Sequence, residues 1–169
     1  VIAGERVVLR ARQEADRPYA RRWYADAATT RWLLHPYPRG EEAYEVPAEP
    51  VSFDRVLLTV EAGGTPIGTA GLLDASPEHR RARAFVTIGD AAFRGRGYGE
   101  DTLRTLCRFA FDTMNLAKVE LEVLADNARA VALYERLGFV REVQRRRALW
   151  TEGAWRDEYL MGLLPAELR

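Results

Sequence analysis

Three glycines fall within five positions in the run Phe93-Arg94-Gly95-Arg96-Gly97-Tyr98-Gly99. Without Cβ atoms, such a run serves a backbone that bends tightly or approaches another group closely. Ala82 to Gly89 precedes it, built on Phe85, Val86 and Ile88, and reads as a strand. Gly99 to Asp112 follows, with Leu103, Leu106, Cys107 and Ala110 in one stripe at i, i+3, i+4 and i+7, and reads as an amphipathic helix. The chain therefore has to fold around a sharp strand-to-helix turn. The first amides of such a helix are unpaired and sit at the positive end of its dipole, so they suit an anion. Arg94 and Arg96 can add charge-assisted bonds to it. A tight connection with no ligand is the plainer reading of the same glycines.

The spacing excludes two common phosphate motifs. No Gly-Lys-Ser/Thr follows the turn, and Glu100 stands where a dinucleotide fingerprint needs its third glycine.

Elsewhere, Arg6 to Arg10 reads as a first strand and Gln13 to Ala27 as a helix with Pro18 near its start. His35 to Pro50 holds four prolines and reads as a loop, with at most a short helix around Glu41 to Glu45. Arg55 to Glu61 and Ile67 to Leu73 flank a turn at residues 62–65. Lys118 to Leu124 alternates as a strand, and Asn127 to Leu137 is a helix capped by Asp126 or Asn127 and closed by Gly138. Phe139 to Gln144 and Trp155 to Leu164 close the chain as a strand pair. This order predicts a single α+β domain over 1–169.

Twenty-five basic residues balance twenty-five acidic ones, which argues against a field built for nucleic acid or anionic membrane. Cys107 is the only cysteine, so no intrachain disulfide and no thiolate zinc cluster can form; no metal is expected. No apolar run is long enough for a membrane span, and the opening residues lack a charged-then-apolar leader. The expectation is a cytoplasmic protein, as a monomer or homodimer.

Arg94-x-x-Gly97-x-Gly99 resembles the pyrophosphate-binding motif of the GNAT acetyltransferases. The run from Asp126 through Asn127, Leu133 and Tyr134 to Gly138-Phe139 is similar to the second hallmark of that family. Gly4 to Arg10 and Gly153 to Met161 further resemble its ribosomal-protein and polyamine branch. The resemblance implies a mixed, mostly antiparallel sheet of about six or seven strands, with helices on both faces. Two parallel strands, here Ala82–Gly89 and Lys118–Leu124, splay to admit the acyl-CoA arm. It implies transfer of acetyl from acetyl-CoA to a primary amine, on a small molecule or a protein N-terminus, by direct attack in a ternary complex. A non-catalytic acyl-CoA-binding module on the same fold is the alternative.

By the same resemblance, backbone groups at Ile88, Gly89 and Asp90 meet the pantetheine arm, and Arg94, Gly95, Arg96, Gly97, Tyr98 and Gly99 hold the diphosphate. Asn127 contacts the arm, and Tyr134 protonates the departing thiolate. Asn127 and Tyr134 lie seven residues apart, on one helix face. Helix capping and core packing are their plainer roles. The family's strand glutamate is replaced here by Arg83, so the base falls to Glu120 or Glu122, to His35 or His79, or to water. The acceptor site is expected among Trp32, His35, Tyr37 and neighbouring aromatics, with Glu41, Glu42, Glu45 and Glu49 available for a polyamine.

Overall fold

The computed structural model describes residues 1–34, 44–47 and 52–169. Its described elements run β1 (Ile2–Ala3), β2 (Val8–Ala11), α1 (Arg17–Ala25), α2 (Ala27–Thr30), β3 (Val56–Ala62), β4 (Thr65–Ser76) and β5 (Arg81–Ile88). After the glycine turn come α3 (Tyr98–Arg108), β6 (Lys118–Leu124), α4 (Ala128–Leu137), β7 (Val140–Thr151) and β8 (Ala154–Leu163). The strands form one sheet in the order β1-β2-β3-β4-β5-β6-β8-β7. Every pairing is antiparallel except β5 with β6.

Seven strands follow the sequence expectation, and the two-residue β1 is an addition too short to show periodicity. The predicted first helix divides: Asp26 adopts an extended conformation and its carboxylate caps α2 through Ala28 N. Side-chain alternation sorts the sheet into two faces. Val56, Leu58 and Val60 of β3, Ala82 and Ala84 of β5, and Val119, Leu121 and Val123 of β6 join the main core with Leu103, Leu106 and Cys107 of α3. Cys107 is fully buried there and burial pushes its thiol up, which fits a packing role.

The opposite face carries a smaller cluster of Ala20, Trp23 and Tyr44. It is pinned by the buried Asp16 carboxylate, which accepts from Arg10 Nη2 (2.8 Å), Tyr44 Oη (2.8 Å), Thr59 Oγ1 (2.8 Å) and Gln13 N (3.0 Å). Burial alone would raise this carboxyl; the hydrogen bonds, led by Arg10, outweigh that and hold it at about 2.

A depressed carboxyl stabilises the fold above its unfolded pKa near ~3.9, and that contribution fades as pH falls towards the folded value. Wild-type Tm should therefore drop between about pH 5 and pH 2 more steeply than that of Asp16→Asn. At neutral pH, Asp16→Ala should cost about 3 kcal/mol in urea unfolding, because Arg10 and Tyr44 lose a buried partner.

Candidate active site

β5 and β6 pair only from Arg81–Lys118 to Arg83–Glu120. Beyond that they separate, because β5 stays bonded to β4 as far as Ile88 and β6 to β8 as far as Leu124. The facing edge of β5 from Ala84 to Ile88 then has no strand partner. Gly89 N donates back to Ile67 O on β4 (2.9 Å). By strand alternation, the Val86 and Ile88 amides aim into the gap. The opening leads into a cleft of about 1200 Å³ that reaches from the glycine turn to α2 and β3.

Of the three backbone positions expected to meet a ligand, Ile88 alone keeps a free amide at the opening. Asp90 N also donates to Ile67 O (3.1 Å), alongside Gly89 N. The carbonyls of Ile88 and Gly89 accept from Arg94 Nε (3.0 Å) and Nη2 (2.7 Å). Arg94 Nη2 also reaches Thr29 Oγ1 and Asp26 Oδ2, and Arg94 N donates to Ala91 O (3.2 Å). Arg94 is thus a strut between the cap of α2 and the end of β5.

The turn itself has the form the glycines foretell. Gly95 and Gly97 adopt φ of +75° and +87°, a left-handed conformation that favours glycine. The first helical amide to find an acceptor is that of Asp101, on Gly97 O. Among the described residues, no partner takes the amides of residues 95 to 100. Gly99 differs from the other two: a Cβ there would sit 3.6 Å from Ile88, an ordinary contact. Tyr98 stacks edge-on against Phe93 and supports the turn from below.

Positive charge gathers at this turn from three directions. Arg96 belongs to it, Arg6 donates to Arg96 O (2.9 Å), and Arg129 Nη2 lies 3.1 Å from where a Gly95 Cβ would be. None of the three has a carboxylate partner among the described residues. Sequence reasoning missed Arg6 and Arg129. Arg6 is delivered by Asp101, whose buried carboxylate accepts the amides of Glu5, Arg6 and Val7; no local pattern announces a contact across 95 residues. Arg129 was within reach of reading, since it stands in the first turn of the helix that Asn127 caps.

Asn127 accepts from Ala130 N (3.2 Å) and also lines the cleft, so its capping role is plain. Tyr134 lines the cleft and packs on Phe139, ring centroids 6.0 Å apart. Burial pushes its hydroxyl up to about 12, so it is protonated at neutral pH. That hydroxyl has no hydrogen-bond partner among the described residues.

The carboxylates separate. Glu120 is held by Lys118 (2.9 Å) and Arg81 (3.6 Å) and does not line the cleft. Glu122 lines it, paired with Arg145 (3.0 Å) and Arg83 (3.3 Å). Glu158, which sequence reading missed, lines it too and is 4% exposed. Burial and then the charge of Glu122 raise its pKa, against the opposing Arg145. Only its place diagonal to Glu122 across β6 and β8 reveals it.

Arg83 itself is paired with Asp74 (2.6 Å) and Glu122 (3.3 Å). Trp32 lines the cleft beneath the Arg31 guanidinium. His35, Tyr37, Glu41, Glu42 and Glu49 lie outside the described residues. Glu45 is in the cleft wall, ion-paired with Arg55. His79 sits in the exposed turn after β4, away from the cleft. Among the described residues no group of His, Cys, Asp and Glu is arranged to hold a metal ion, and no helix is long and apolar enough to cross a membrane.

The cleft thus combines a split parallel pair with a glycine turn of unpartnered amides, and comparisons with known proteins identify the family. The acetyltransferase (GNAT) domain family matches residues 6–140, so the chain belongs to the GNAT acetyltransferases and is an N-acetyltransferase of that family. It is 37% identical over 123 residues to the N-alpha-acetyltransferase RimI of Mycobacterium tuberculosis, covering 68% of this chain and 74% of that one. It is 26% identical over 138 residues to the spermidine N(1)-acetyltransferase of Vibrio cholerae, covering 80% and 79%. The fold matches the crystal structure of spermidine N-acetyltransferase from Vibrio cholerae in complex with CoA and spermine, with TM-score 0.83, 23% identity and coverage of 96% and 97%.

Because Arg94 satisfies two backbone carbonyls, Arg94→Met should destabilise the protein by about 3 kcal/mol in urea unfolding. A change under about 0.5 kcal/mol would refute the strut.

Proposed function

We propose that this enzyme transfers an acetyl group from acetyl-CoA to a primary amine by direct attack in a ternary complex within this cleft. The single observation that carries the reading is the run of unpartnered amides at residues 95–100, ringed by Arg6, Arg96 and Arg129, at the mouth of the β5–β6 gap. Such a nest suits a diphosphate. Acetyl-CoA, when bound, supplies an activated acyl group whose thiol leaves.

Gly95, Arg96, Gly97, Tyr98 and Gly99 hold the diphosphate through their amides, while Arg94 fixes the shape of the turn. The unpaired edge of β5 at Val86 and Ile88 offers hydrogen bonds to the amides of the pantetheine arm, and Ile88 N–H is the better-placed donor for developing oxyanion charge. Asn127 keeps α4 capped at the gap and presents its amide nitrogen to the arm. Tyr134 carries a proton on Oη at neutral pH and delivers it to the departing sulfur, and the second proton that the attacking nitrogen sheds on becoming an amide restores the tyrosine. Before attack, the ammonium of the acceptor gives up one proton to the carboxylate of Glu158 or Glu122. Burial and then the like charge of Glu122 raise the pKa of Glu158, which suits it to the role of base. Glu120 takes no part, being outside the cleft. The relatives named above act on polyamines and protein N-termini, which supports a primary amine as acceptor.

Gly97→Glu should abolish CoA binding in calorimetry: it forces a left-handed residue and brings a negative charge within reach of the nest. Unchanged affinity would remove the site. Tyr134→Phe and Glu158→Gln should each lower kcat at least tenfold while CoA affinity changes by less than about threefold. Loss of Glu158 alone should also flatten the acid limb of the pH–rate profile; equal rates in either variant would strike that residue from the mechanism.

A further inference from the structure

Arg12 is 8% exposed and lines the far end of the cleft, away from the glycine turn. Its guanidinium stands 4.8 Å from the Tyr44 ring centroid and 6.0 Å from that of Phe85. Nη1 donates to Glu45 O (3.1 Å). Nε is buried with no hydrogen-bond partner, and Nη2 has none among the described residues. Burial pushes the guanidinium below its usual value, the mark of a charge short of compensation.

The other charges at this end are accounted for. Glu45 is paired with Arg55, Glu122 with Arg83 and Arg145, and Glu158 with Arg145. Away from the glycine turn, Arg12 is the cation left without a carboxylate among the described cleft residues. A buried, unmatched guanidinium is costly, and in a native structure it asks for an explanation. A second cation such as a polyamine arm would raise that cost. A carboxylate would remove it, because a guanidinium matches a carboxylate in both charge and planar geometry. The two rings restrain the guanidinium in place, which lowers the ordering cost of binding.

Resting on the acetyl-transfer reading above, we propose that the acceptor is a small amine bearing a carboxylate, an amino acid or close analogue, and that Arg12 binds this carboxylate while the amine lies towards Glu122 and Glu158. Arg12 is then a determinant of specificity, and the departure from polyamine acceptors lies in a residue of the first strand-to-helix connection.

The test compares L-amino acids with their own amides, a tripeptide amide and spermidine, following thiol release from acetyl-CoA, with CoA affinity measured separately by calorimetry. At least one amino acid should exceed its amide tenfold or more in kcat/KM, chiefly through KM, as loss of a charge-assisted bond predicts. Arg12→Met should bring that ratio to within about twofold of one. Spermidine, the peptide amide or the amino-acid amides matching the best acid would overturn the proposal. So would turnover of no carboxylate-bearing amine, or a ratio that Arg12→Met leaves unchanged. Should Arg12→Met fail to fold, the wild-type ratio decides by itself. Intact CoA binding with amides preferred sinks this proposal alone; absent CoA binding sinks the proposed function with it.

Discussion

Two neighbouring strands part company after three residue pairs, and the site depends on that parting. Each of them is held on its outer side: β5 by β4 through Ile88, and β6 by β8 through Leu124. The gap is therefore a rigid consequence of pairing elsewhere in the sheet. Its exposed backbone is tolerated because the gap is a wet cleft, where unpaired amides can be met by water or ligand. The glycine turn then places the start of α3 across the opening, and Arg94 ties the end of β5 to the cap of α2. The wall at α2 and the wall at β5 are joined by one side chain.

Charge is graded along the cleft. At the glycine turn three guanidinia stand without carboxylates. Midway, Tyr134 is neutral and Glu122 and Glu158 share Arg145. At the far end Arg12 stands between two rings with bonds to spare. Two cationic ends around a near-neutral middle fit a donor with a diphosphate at one end and an acceptor with an anionic tail at the other. Net charge over the whole chain, which is zero, conceals this pattern.

Much of the fold was legible because the signals are local. The alternation of Val119, Leu121 and Val123 marked β6 to the residue, and Gly138 marked the end of α4. The glycine turn announced its own backbone geometry. What stayed hidden depends on contacts between distant segments. Nothing near Arg6 shows that Asp101 carries it to the turn, and nothing near Glu158 shows that it faces Glu122. Arg94 was readable as a cation of the motif but not as a brace, because its partners lie on α2 and β5. Likewise the predicted single first helix broke at Asp26, where a side-chain cap on Ala28 competes with continued helix.

Strand β6 carries acids and core on alternate residues: Glu120 and Glu122 on one side, Val119, Leu121 and Val123 on the other. Sliding it by a single residue against β8 would bury both acids among aliphatic side chains and turn three valine and leucine side chains to water. The two carboxylates therefore mark the register of the central strand, because any odd-numbered slip would have to bury them.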